Sequence, residues 1–61
     1  MTFKERVIQK ILRDVAKEKR NEGAQVKIRH QQLIINDKLW TWNDSAQALM
    51  DKSGNKIIPK N

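Results

Sequence analysis

Apolar residues at positions 3, 7, 8, 11, 12 and 15 recur with helical spacing, and that pattern commits the first third of the chain to one amphipathic helix. At about 100° per residue the six positions cover roughly half the helix circumference, a broad stripe that has to be buried against something. Thr2 followed three residues later by Glu5 forms a capping-box pattern just ahead of the stripe. Gly23 supplies the residue that closes a helix in the left-handed conformation. The pattern predicts a helix from about Phe3 to Asn21.

Beyond Gly23 the period shortens to two. Val26 and Ile28 alternate with Lys27 and Arg29, which reads as a strand over 25–29. His30-Gln31 forms a two-residue turn into a second strand, Gln32–Ile35. Asn36-Asp37 resembles the Asn-Gly loop of a type I′ hairpin, with Asp in place of Gly at a cost in backbone strain. A third strand follows over Leu39–Trp42. Two-residue loops preserve side-chain parity, so Val26, Ile28, Leu33, Ile35, Trp40 and Trp42 are expected on one face, packed against the helix. The last third allows two readings. Asp44-x-x-Gln47 with Ala46, Ala48, Leu49 and Met50 fits a short helix closed at Gly54. The preferred alternative is a hairpin of Ala48–Asp51 and Lys56–Ile58 around a Lys-Ser-Gly-Asn turn, because Ile57 and Ile58 need a neighbouring strand. Pro59 ends it.

The expected architecture is therefore α+β: an N-terminal amphipathic helix on one face of a small antiparallel β-meander of three to five short strands. At 61 residues the chain is read as one domain, residues 1–61, with the meander over about 25–58. A chain of this size buries only about 60% of its unfolded surface, and usually needs a disulfide or a metal. It contains no Cys, and His30 is its only His, so neither staple is expected. Helix followed by about five strands resembles the element order of Sm-like RNA-binding proteins; none of that family's motifs occurs, so the likeness is architectural.

Catalytic chemistry has little to work with. There is no Cys or Tyr, no Gly-rich phosphate loop and no nucleophile motif, so neither an enzyme nor a cofactor is expected. Ser45, Ser53, Asp37, Asp44 and Asp51 all sit in turn contexts that explain them locally.

Charge is the informative property. The net charge is +6 and the pI about 10.1. Residues 1–22 carry a net +3, residues 23–42 +2 and residues 43–61 +1. Arg6, Lys10, Arg13, Lys17 and Arg20 are spaced alternately four and three apart, and project within an arc of roughly 80°. Glu5, Asp14, Glu18 and Glu22 lie outside it, although Asp14 is placed to pair with Lys10 or Lys17. Such a ridge is about 21 Å long. It reads either as a solvated face that keeps the chain soluble or as a contact for an anionic partner.

The leading expectation is a non-enzymatic nucleic-acid-binding protein, contacting the phosphates of DNA or RNA with Arg6, Lys10, Arg13, Lys17 and Arg20, joined by Lys27 and Arg29. Five phosphate contacts correspond to a log–log salt slope of roughly −4.5 on duplex DNA. The alternative is an inhibitor or modulator docked on an acidic surface of a larger protein. In that case Ile34 and Leu39, exposed on the open sheet face among Lys27, Arg29, Gln32 and Thr41, form a protein interface or a homodimer contact. Trp40 and Trp42 are expected in the core; a three-residue loop over Asn36–Lys38 would turn them outward as a stacking platform for bases. The longest apolar run is Leu33-Ile34-Ile35, far short of the ~20 residues that span a bilayer, and the N-terminus does not read as a signal peptide. The chain is therefore expected to be cytoplasmic and complete from Met1 to Asn61, with no membrane partner.

Overall fold

The computed structural model describes residues 2–59. They form α1 (Phe3–Asn21), β1 (Val26–Arg29), β2 (Gln32–Ile35), β3 (Lys38–Asn43), β4 (Ala48–Met50) and β5 (Lys56–Ile57). The strands make a single antiparallel sheet in the order β1-β2-β3-β4-β5, and α1 packs against one face of it.

Local chemistry sets both ends of α1. The Thr2 hydroxyl accepts a hydrogen bond from the Glu5 N–H at 3.2 Å and donates to Glu5 Oε1 at 3.1 Å. At the other end Ala24 N–H reaches the Lys19 carbonyl and Gly23 N–H the Arg20 carbonyl, each at 3.0 Å. This pair of bonds is the Schellman closure, and it holds Gly23 at φ +95°.

Two-residue loops fix the register. Val26 pairs with Ile35 and Ile28 with Leu33; Leu33 then pairs with Trp40 across β2–β3. The parity continues through Trp42 opposite Leu49 and Leu49 opposite Ile57. The helix-facing side of the sheet thus supplies Val26, Leu33, Ile35, Trp42 and Leu49 to a core completed by Ile8, Leu12, Val15 and Ala16. The last third is a hairpin, and the short-helix alternative does not occur. Residues 44–47 are a turn in which the Gln47 side-chain amide binds back to the Asp44 carbonyl at 2.6 Å.

Three expectations need correction. Ile28 has core parity yet is 39% exposed, on β1, which is an edge strand of the sheet. Phe3 is 83% exposed and Val7 is also exposed while their neighbour Ile8 is buried, so the Phe3–Val7 edge of the apolar stripe turns away from the sheet. Strand ends differ by a residue or two: β1 starts at Val26, β3 covers Lys38–Asn43, β4 stops at Met50 and β5 at Ile57.

The β2–β3 loop carries the strain its sequence implies. Asn36 and Asp37 have φ +50° and +66°, the two positive values of a type I′ turn. Asn36 is useful there, since its Oδ1 accepts the Gln25 N–H at 3.0 Å. Asp37 makes no comparable bond, so Asp37→Gly should relieve strain without removing a contact. We expect a gain of about 0.5–1 kcal/mol, seen as a Tm higher by about 3–6 °C in a thermal melt. A melt unchanged or lowered would show that the loop is not strained at this residue.

Candidate functional site

The five basic residues of α1 do not behave alike. Arg6, Lys10, Arg13 and Lys17 are exposed on the side of α1 away from the sheet, and none forms a salt bridge or side-chain hydrogen bond among the described residues. Asp14 pairs with neither Lys10 nor Lys17. Arg20 is different: its guanidinium donates to the Val26 carbonyl at 2.8 Å. The Gln25 carbonyl accepts the Asn36 N–H, so by antiparallel alternation the Val26 carbonyl points away from β2 toward the open edge. Arg20 caps that edge. The free ridge is therefore Arg6 to Lys17, about 16 Å long and within an arc of roughly 60°.

Lys27 and Arg29 lie on the opposite layer. Their parity places them on the outer face of the sheet, so the sequence-predicted basic set separates into a helix ridge and a sheet face. Lys27 pairs with Ile34, Ile34 with Leu39, Arg29 with Gln32, Gln32 with Thr41 and Thr41 with Met50. Met50 in turn faces Lys56. Ile34 and Leu39 thus sit opposite each other at the centre of this face; Leu39 is exposed as expected, but Ile34 is only half-buried rather than exposed. Met50, Lys52 and Lys56 belong to the same surface, yet the alternation of the first three strands does not reveal them; they become visible only once the β4–β5 hairpin is in place.

The stacking-platform alternative has no support in the placement of Trp42, which is 8% exposed within the core. Trp40 is half-buried against that core, with Lys38 Nζ 5.0 Å from its ring centre.

The remaining charged groups hold the fold together. Lys4 Nζ reaches Asp44 Oδ2 at 2.6 Å, tying the start of α1 to the β3–β4 turn. This bond holds the Asp44 carboxyl below its ordinary range against the effect of burial, helped by Lys4's charge, by Trp42 and by Gln47. The Trp42 indole N–H is itself buried and lies outside hydrogen-bond geometry. His30 Nε2 stands 3.7 Å from Glu5 Oε2 at the exposed β1–β2 turn. Asp51 is the organising residue of the β4–β5 turn. Its Oδ1 accepts the Ser53 and Asn55 N–H groups at 3.0 and 2.8 Å, and its Oδ2 accepts Asn55 Nδ2 at 3.0 Å and Lys38 Nζ at 2.6 Å.

Among the described residues no group of three or more His, Asp or Glu side chains is placed to hold a metal ion. No described helix is long and apolar enough to cross a membrane. No protein-family profile, curated protein or solved structure matches the chain.

Proposed function

We propose that the protein binds nucleic acid through the phosphate backbone, using the outer ridge of α1. The observation that carries this reading is the set Arg6, Lys10, Arg13 and Lys17: four exposed cations, aligned along about three turns, with no acidic partner among the described residues. Like charges three and four apart destabilise a helix by a few tenths of a kcal/mol per pair, so the stripe does nothing for α1 itself. Glu5, Glu22, Asp44 and Asp51 bind Lys or His side chains off the ridge. Phosphates would supply the missing counter-charge and release condensed ions on binding. Recognition of this kind reads backbone and shape, because a stripe of Lys and Arg carries no fixed donor–acceptor pattern for base edges.

Fluorescence anisotropy with a duplex of about 20 bp tests the reading. Four phosphate contacts correspond to a log–log salt slope of about −3.6. Arg13→Glu with Lys17→Glu should reduce the slope to about −1.8 and weaken binding more than tenfold. Arg20→Ala should change the slope less than Arg13→Ala, since its guanidinium is engaged at the β1 edge. Affinity that ignores salt, or that survives the double reversal, would sink the proposal.

A further inference from the structure

We infer that the open face of the sheet is a second docking surface, independent of the helix ridge, and that its occupant is an acidic, amphipathic segment of another protein. The centre of this face is aliphatic. Ile34 and Leu39 form a non-hydrogen-bonded cross-strand pair, the kind in which side chains approach most closely, and Leu39 is 40% exposed. Met50 lies diagonally beside Leu39 on the next strand, and a hollow of about 340 Å³ opens between them. The unbranched Met50 thioether adapts to apolar side chains of varied shape.

The rim selects the partner. Lys27 and Arg29 border the face on one side and Lys56 on the other, all exposed. None of them forms an ion pair among the described residues, and no strand position of this face is acidic. The nearest acids are Asp37 at the hairpin tip and Asp51, which Lys38 and the turn amides occupy. A second copy of the chain is a poor occupant, since face-to-face pairing opposes one cationic rim to another. A nucleic-acid strand is also a poor fit: Phe3 is on α1, Trp40 packs against the core, and Trp42, which borders the hollow, is buried in the core, so bases have no exposed stacking platform. An apolar centre inside a charged rim of one sign is matched by a segment that alternates acidic and apolar side chains.

The test titrates isotope-labelled full-length protein with three probes, followed by amide NMR shifts. These are a decapeptide alternating Glu with Leu, an all-Glu decapeptide and a single-stranded oligothymidine. The expected result is that the alternating peptide shifts Ile34, Leu39, Thr41 and Met50, and binds about tenfold or more tighter than the all-Glu peptide. Leu39→Asp should weaken it about tenfold while leaving oligonucleotide binding unchanged. Lys27→Glu with Lys56→Glu, at exposed positions that do not threaten folding, should also weaken the alternating peptide about tenfold. The inference is overturned if both peptides bind equally, if the shifts fall on α1 instead, if the oligonucleotide occupies the sheet face, or if this face mediates a concentration-dependent dimer that Leu39→Asp abolishes.

Discussion

Leu12→Ala is expected to leave a large fraction of the protein unfolded at 25 °C. Leu12 is fully buried, at the middle of the α1 stripe, where it packs into the cluster formed with Leu33 and Leu49. Removing a buried leucine side chain costs roughly 2.7–5 kcal/mol, from lost transfer energy and from the cavity left behind. A chain of 61 residues has a total stability of about 3–9 kcal/mol by the usual range per residue. With no Cys available for a disulfide, this chain belongs near the lower end, and one core truncation removes most of its margin. Helix propensity works the other way, since Ala is the better helix former, so any loss reports packing and not α1 alone. Urea denaturation followed by circular dichroism gives the answer. Phe3→Ala, at the uncovered edge of the same stripe, serves as the control and should change stability by less than about 0.5 kcal/mol. Equal effects at positions 3 and 12 would mean that α1 does not dock on the sheet as described.

The contrast between Leu12 and Phe3 also marks what periodicity conveys. Spacing identifies the stripe, and the Thr2 and Gly23 signals place both helix ends at the residues where the structure has them. Alternation and two-residue loops likewise place the inner face correctly, from Val26 through Trp42. These signals are local, so they are present in the sequence. Which edge of the stripe the sheet covers is not local, and so Phe3 and Val7 are left exposed while Ala16, too weakly apolar to mark the stripe, is buried. The basic ridge follows the same division. Its angular alignment is a property of helix geometry, whereas the diversion of Arg20 depends on where the β1 edge passes, and no helix-wheel argument contains that edge. Lys38 and Asp51 are thirteen positions apart and meet only because β3 pairs with β4.

That last pair carries the second large effect, an acid-sensitive step centred on Asp51. Its carboxylate side chain is 2% exposed, and it is held well below its ordinary value of 3.8. The Lys38 ammonium bond is the main cause, followed by the Asn55 side chain and backbone, against the opposing effect of desolvation. Since the folded state keeps the group charged where the unfolded chain would protonate it, its contribution is present in full above about pH 5. It declines as the pH falls through the ordinary carboxylate range toward the depressed folded value. Asp44, lowered by Lys4, acts in the same direction more weakly. Asp51→Asn removes the charge and turns an amide donor toward either Lys38 and Asn55 Nδ2 or the two turn N–H groups, so two of the four bonds are lost. At pH 7 the variant should melt about 10 °C lower, at roughly 4–8 °C for each net hydrogen bond. Between pH 4 and 2 its stability should fall less steeply than that of the parent, by about one proton in the linkage slope. Thermal melts of both proteins across this range check the two effects separately. If the parent and Asp51→Asn lose stability in parallel below pH 4, the Asp51 carboxylate does not stay ionised in the fold, and the β4–β5 hairpin is held by its backbone pairing alone.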